Sequence, residues 1–244
     1  MQDQIIFSGK DRFTSVEVID TALERNLHFG TSIVQSSMAL SDPYAVNMEY
    51  NQVMLLALLF KSNPQKALFL GLGGGTKPKF VWRYFPQALC TSVEISPLVI
   101  ETAKTYFALP NDERFITTCV SAEDYLERQG PLQDVIFVDL YLSDRMADAP
   151  TQSDFFRRCK AHLLEDGVLV WNLWRSAARG ATQKAIHQLD SLFEEVLLLQ
   201  VEESPNLILI GKQKTEHEDL KRQASYLTTL TGLDYTTLMS RIHH

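Results

Sequence analysis

The sequence predicts an α/β protein: a mostly parallel sheet that ends in an antiparallel hairpin, with a small β region in front of it. Three observations carry this prediction. Between residues 65 and 213, short apolar, β-rich runs alternate with helical segments, as in sheets whose strands are buried on both faces by crossover helices. The first of these runs feeds a glycine cluster, "ALFLGLGGGTKPKF" at 67–80. The last two, within "EEVLLLQVEESPNLILIGKQ", are joined by Ser204-Pro205-Asn206, a tight-turn signal.

In chain order, residues 1–60 form a small region that is strand-like, then helical. "TSVEVIDTA" places Val16 and Val18 on one face and Ser15, Glu17 and Ile19 on the other, an imperfect strand alternation. "HFGTSIVQSSMAL" reads as a turn, a short strand and a polar exit. "DPYAVNMEYNQVMLLALLF" follows Asp42-Pro43, and proline in a first turn marks a helix start. Residues 61–215 form the main α/β domain. Its strands are "KALFLG", "LCTSVEI", "RFITTC", "DVIFVDL" and "GVLVWNL"; its helices include "SPLVIETAKTYF" and "QSDFFRRCKAHLLEDG". Residues 216–244 read as a helical cover, with Leu220, Ala224, Leu227 and Leu230 at helical spacing and a break at Thr231-Gly232. A terminal antiparallel hairpin on a parallel sheet belongs to the methyltransferase-like (Rossmann-type) class, the S-adenosylmethionine-dependent kind, more than to NAD-binding domains. There is no internal repeat and no low-complexity linker.

Composition narrows the function classes. A net charge of −7 argues against nucleic-acid binding, which rests on lysine and arginine at phosphates. The apolar runs are too short to span a bilayer, and "MQDQIIFSGKDRF" lacks the plan of a signal peptide, so the expected location is cytoplasmic. Cys90, Cys119 and Cys159 stand far apart. They suggest neither a zinc site nor a disulfide framework, and are expected to be buried thiols. The six histidines show no metal-ligand spacing, so no metal is expected.

The candidate site lies at the strand ends. Glycines after the first strand let backbone approach a ligand closely, and the following helix start offers free N–H groups. Lys77 and Lys79 at that helix start oppose its macrodipole and are expected to be solvated. Glu94 ends the second strand, nineteen positions after Gly75, where an acid can accept hydrogen bonds from ribose hydroxyls. Asp139 ends the fourth strand, in the crevice where open α/β sheets bind ligands. The loop after it carries Tyr141, Asp144 and Asp148. Carboxylates there could hold a cationic amine or act as a base; Asp148 reads as a surface residue.

Together these segments resemble the polyamine aminopropyltransferases, of which spermidine synthase is the best known, over residues 13 to 213. "GLGGGT" stands where that family has Gly-Gly-Gly-Asp-Gly-Gly. "VEISP" resembles its Val-Glu-Ile-Asp-Pro, and "QDVIFVD" its Tyr-Asp-Val-Ile run ending in Asp. "SIVQSSM" and "EYNQVM" resemble its front-domain Val-Gln-Thr-Thr and Tyr-His-Glu-Met elements. The resemblance implies a small β domain ahead of a methyltransferase-like sheet. It also implies an S-adenosyl donor, S-adenosylmethionine or its decarboxylated form, and transfer of an aminopropyl group to an amine. A small molecule, a polyamine among the candidates, is the expected partner, and a homodimer the expected assembly.

By residue, the resemblance assigns Gln35 to the thioether region. Tyr50 and Gln52 fall to the substrate, Gly71, Gly73 and Gly75 to the nucleoside loop, and Glu94 to the ribose; Tyr141, in the loop after Asp139, is a further substrate-binding candidate. Ser121 and Ala122 fall to the base, and Asp139 matches the first acid of the family's Asp-Ser-Ser-Asp-Pro motif. The second acid, the usual proton acceptor, is Leu142 here, which leaves Asp144 as the candidate base. Gly74 replaces the loop aspartate that faces the amine, and neutral Gln52 replaces a front-helix acid. These departures keep two alternatives open: an S-adenosylmethionine-dependent methyltransferase, and a non-catalytic homologue.

Overall fold

The computed structural model describes residues 3–141, 154–174, 179–202, 204–214 and 217–243. Two sheets organise them. The first is a four-stranded antiparallel meander of β1 (Gln4–Lys10), β2 (Ser15–Asp20), β3 (Glu24–His28) and β4 (Val34–Ala39). In β2, Val16 and Val18 are fully buried, as the alternation predicts. Strands β1 and β3 carry no clean alternation and escape the sequence reading.

The second sheet has seven strands: β5 (Lys66–Leu70), β6 (Leu89–Glu94), β7 (Phe115–Cys119), β8 (Gln133–Val138), β9 (Leu163–Trp174), β10 (Glu195–Gln200) and β11 (Asn206–Lys212). Their spatial order is β10-β11-β9-β8-β5-β6-β7. Strands β5 to β9 run parallel, and β11 is antiparallel to both β9 and β10. The expected mostly parallel sheet with a terminal antiparallel hairpin is therefore present. The chain winds from β5 to β6 and β7 in one direction, then returns to β8 and β9 on the other side. The β5/β8 seam is thus a topological switch point, where strand carboxyl ends leave a crevice.

Helices α2 (Thr76–Tyr84), α3 (Pro97–Tyr106), α4 (Ala122–Leu126), α5 (Phe155–Ala161) and α6 (Arg179–Asp190) make the crossovers. Ser96 caps α3, its Oγ accepting from Val99 N at 3.0 Å with Pro97 in the first turn. The front sheet docks on α3. Val16, Val18, Leu27, Phe29 and Met38 pack with Val99 and Phe107, and Ser96 Oγ donates to Asp11 Oδ2 at 2.6 Å.

Several boundaries differ from the sequence reading. Helix α1 spans Glu49–Leu55, continued by a 3-10 stretch over Leu56–Leu59, and does not begin at Asp42-Pro43. Asp42 instead closes a turn, its Oδ1 accepting from Tyr44 N and its carbonyl from Ala45 N. α1 and the 3-10 stretch bury Val53 to Leu59 in the core of the main sheet. Helix α5 stops at Ala161 and β9 starts at Leu163, four residues before the expected strand. His162 makes the switch: its carbonyl accepts from Gln133 N, and its ring nitrogens lie 2.9 Å from the carbonyls of Arg158 and Arg128.

The C-terminal cover comprises α7 (His217–Thr231), α8 (Tyr235–Met239) and a last 3-10 turn, with Gly232 at a φ of 77° between the helices. The buried stripe of α7 runs through Leu220, Ala224, Leu227 and Thr231, leaving Leu230 exposed. A 4-3-4 spacing holds a narrower face than the one expected, which ran through Leu230. Tyr235 is fully buried. Cys90 and Cys159 are buried as expected, but Cys119 is exposed at the end of β7. Burial pushes the Cys90 thiol up to about 12.

Candidate active site

The carboxyl ends of β5, β6, β8 and β9 open into a cavity of 740 Å³, which the front sheet and α1 close from the other side. Gly71 and Gly73 at the end of β5 line its floor. Gly71 holds a φ of 95°, and a Cβ there would sit 2.1 Å from the carbonyl oxygen of Asp139. The position therefore requires glycine for both conformation and space. Gly74 N donates to Ser36 Oγ at 2.9 Å, tying the loop to β4. Gly75 precedes α2 with a φ of 72° and packs toward Leu109. It shapes the loop without lining the cavity.

Glu94, at the end of β6, lines the cavity. Its Oε2 accepts from Leu72 N at 3.2 Å and its Oε1 from Ser96 N at 3.0 Å. Burial raises its pKa; the backbone donors of Ser96, Leu72 and Ile95 oppose that rise. Ser121 and Ala122 line the same side. Ser121 Oγ caps α4 by accepting from Asp124 N at 3.0 Å.

At the other end, Asp139 follows β8 and is held from two sides. Oδ2 lies 2.5 Å from Lys77 Nζ, and Oδ1 accepts from Asn172 Nδ2 at 2.9 Å. Lys77 Nζ also donates to Asn51 Oδ1 at 2.8 Å and lies 5.3 Å from the centre of the Tyr50 ring. Asn172 Oδ1 accepts from Asn206 Nδ2 at 2.7 Å, and Ser204 Oγ donates to Asn206 Oδ1 at 2.5 Å. A polar chain therefore runs from α1 to the β10–β11 turn.

The expectation that Lys77 and Lys79 are solvated is overturned. Both are buried. Lys77 is neutralised by Asp139, and Lys79 Nζ donates to the carbonyls of Pro43 and Phe107 at 2.8 and 2.7 Å. Burial lowers the Lys79 pKa to about 8. The cost of a lysine near a helix start is met in both cases by partners distant in sequence.

Of the residues the sequence nominates, Gln35, Tyr50, Gly71, Gly73, Glu94, Ser121, Ala122, Asp139 and Tyr141 all line this cavity. Tyr50 OH donates to Gln35 O at 3.3 Å, and Tyr141 OH donates to Asn172 O at 3.2 Å. Burial raises both phenol pKa values, with the Asp139 charge adding to each. Gln52 does not line the cavity: its amide donates to Val46 O at 2.7 Å. Asn51, one helical step away, takes the inward position that the resemblance gave to Gln52. Gly74 likewise faces Ser36 and Phe107. Asp144, Asp148 and Leu142 lie outside the described residues. Sequence reasoning gives no role to Asn51 or Asn206 and places Lys77 in solvent, because each acquires its meaning from a partner that no local pattern reveals.

A family model for the spermine/spermidine synthase domain matches residues 47–202. The polyamine aminopropyltransferase of Chromobacterium violaceum is 32% identical over 233 residues, covering 93% of this chain and 88% of that protein. Spermidine synthase from Thermotoga maritima superposes with a TM-score of 0.77 at 16% identity, over 98% of this chain and 84% of that one. Human methyltransferase-like protein 13, solved in complex with SAH, gives a TM-score of 0.67 at 23% identity, over 79% and 93%. The fold is thus shared by spermidine synthases and methyltransferases. Among the described residues, no helix is long and apolar enough to cross a membrane, and no group of three or more His, Cys, Asp or Glu is placed to hold a metal ion.

Proposed function

The chain belongs to the spermine/spermidine synthase family, and from that premise we propose that it is a transferase acting on an S-adenosyl-type nucleoside. In the family reaction the group moved is aminopropyl and the acceptor is an amine, a polyamine by the names of the relatives. The observation that carries the reading is Glu94: a carboxylate on the cavity wall at the end of β6, one strand from the glycine loop. That is the relation by which open α/β sheets hold a ribose. The residues present fit an adenosyl group. The cavity volume of 740 Å³ lies within the roughly 300–1,000 Å³ of small-molecule sites. Gly71 and Gly73 offer bare backbone, and Ser121 and Ala122 stand on the Glu94 side for the base.

The donor, when bound, supplies a sulfonium whose attached carbon is open to nucleophilic attack. The protein's part is to orient that carbon against an acceptor and to exclude water. Gln35 and Tyr50 close the cavity from the front, and Asp139 and Tyr141 stand at the transfer end. Leu142 cannot accept a proton, so Asp144 is the base we assign to the aminopropyl reaction.

A second reading, methyl transfer from S-adenosylmethionine, is favoured by one specific observation. The Asp139 carboxylate, which would hold an ammonium, is already paired with Lys77. Calorimetry followed by turnover separates the readings. Methylthioadenosine binding together with spermidine formation from putrescine and decarboxylated S-adenosylmethionine supports the family reaction. Binding with turnover of S-adenosylmethionine alone supports the second. Binding with neither leaves a non-catalytic homologue, and failure to bind any adenosyl nucleoside refutes both enzyme readings.

A further inference from the structure

The transfer end of the cavity contains the components of an ammonium site, and they are filled by the protein's own lysine. Lys77 Nζ is seated against the Asp139 carboxylate at 2.5 Å and Asn51 Oδ1 at 2.8 Å, and it faces the Tyr50 ring at 5.3 Å. The Lys77 and Asp139 side chains are 8% and 12% exposed, so solvent screens their field weakly. Both residues line the cavity. The nearby cavity acid on α1, Glu49, is paired as well, with Arg241 at 2.5 Å. Among the described residues, then, the acids from α1 and β8 at this end each have a cation partner.

A ligand group ending only in an ammonium meets Asp139 already neutralised and meets Lys77 as a like charge. A group bearing both an ammonium and a carboxylate matches the pair, with its carboxylate toward Lys77 and its ammonium toward Asp139. Such a group is the α-amino-acid end of an intact S-adenosyl donor. We infer that Lys77 is a specificity-determining residue that selects an S-adenosyl donor retaining its α-carboxylate over one ending in an amine alone. This rests on the nucleoside reading and deepens it, since it chooses between the two donors left open above.

The test is isothermal calorimetry on the whole chain with three probes sharing one nucleoside. Methylthioadenosine has no charged tail, S-adenosylhomocysteine has the zwitterionic tail, and decarboxylated S-adenosylhomocysteine has the ammonium alone. Wild type is expected to bind S-adenosylhomocysteine at least about tenfold more tightly than the decarboxylated form, a difference of about 1.4 kcal/mol. Lys77→Met is expected to abolish or invert that ratio. Lys77→Arg is expected to keep it, and methylthioadenosine measured on each protein gives the tail-free reference for that ratio. Circular dichroism checks that the variants fold. Equal or tighter binding of the decarboxylated form by wild type overturns the inference without any variant. An unchanged ratio in folded Lys77→Met overturns it too. If folded wild type binds no methylthioadenosine, the nucleoside reading itself fails and the inference falls with it.

Discussion

The amide of Gly74 donates to Ser36 Oγ at 2.9 Å, so the glycine loop at the end of β5 is fastened to the front sheet at the position where the resemblance to the aminopropyltransferases places an acid. A Cβ at Gly74 would lie 2.9 Å from Ser36 Cβ and 3.0 Å from Phe107 Cδ1. The side chain of any other residue would therefore press into protein. Gly74→Asp is expected to add overpacking, about 1–3 kcal/mol, to the burial of an unpaired carboxylate. The variant should lose denaturant stability and gain no affinity for an ammonium-tailed nucleoside. A stable variant that binds such a ligand more tightly would show that the loop can turn this position to the cavity.

Gly71 is less replaceable still. Its φ is 95°, and its missing Cβ leaves room for the Asp139 carbonyl, which a Cβ would meet at 2.1 Å. That oxygen is backbone and cannot swing aside, so β5 and β8 would have to separate at the switch point. Gly71→Ala is expected to cost about 3 kcal/mol or more, among the larger effects of single substitutions. Urea unfolding measures it, and a loss under about 1 kcal/mol would contradict the close approach.

The parts of the molecule that were legible in sequence are those where local chemistry suffices. Strands β5 to β9 are apolar runs with glycine, proline and helix punctuation, and the β10–β11 turn is marked by Ser204-Pro205-Asn206. Glu94 and Asp139 could be named because an acid ending a buried strand has few structural uses. Strand β1 is largely exposed or half-buried along its length and carries no binary pattern, so only its neighbours define it. Lys77 was misread because a lysine at a helix start is locally unfavourable; its partner Asp139 is 62 positions away. Gln52 was misplaced for a related reason. Motif matching gives a position in the chain, but the helix rotation decides that Asn51 faces inward.

Lys79 makes a pH prediction. Burial lowers its pKa from 10.5 to about 8, so the folded protein releases this proton near pH 8 while the unfolded chain holds it to about 10.5. Between those values the unfolded state binds more protons, and stability rises with pH by up to about 1.4 kcal/mol per unit. Tyr50, Tyr141, Tyr235 and Cys90 are shifted upward and act with the opposite sign as the pH climbs. The check is therefore the difference between wild type and Lys79→Met in denaturant stability from pH 7 to 10. That difference should move in favour of wild type as pH rises. A flat difference would mean that Lys79 keeps its proton in the folded state.

The chain from Asp139 through Asn172 to Asn206 predicts coupling. Asn172 is buried, donates to Asp139 Oδ1 and accepts from Asn206 Nδ2. Asn172→Ala would strand both partners, at about 1–3 kcal/mol for buried groups left unsatisfied. Asn206→Ala in the Asn172→Ala background should then cost less than it does alone, with an interaction energy of about 0.5 kcal/mol or more. Additive losses in a double-mutant cycle would mean that the two amides do not act as one network.

The ribose role proposed for Glu94 would tie the protonation of the site to binding. Its carboxyl pKa is raised by burial, against the pull of its backbone donors. A ribose hydroxyl donates to the charged form, so nucleoside binding should favour the carboxylate and weaken as pH falls through the raised value. The loss should therefore begin above the ordinary carboxylate range near 4.5 and approach tenfold per pH unit below the Glu94 pKa. Glu94→Gln removes the titration while keeping one acceptor oxygen. It should bind methylthioadenosine about ten- to a hundredfold more weakly near pH 7.5, with an affinity that stays level as the pH is lowered. Calorimetry from pH 7.5 down to 5 on both proteins supplies the comparison. Parallel pH profiles would assign the titration to another group, and unchanged affinity in Glu94→Gln would remove the ribose from this carboxylate.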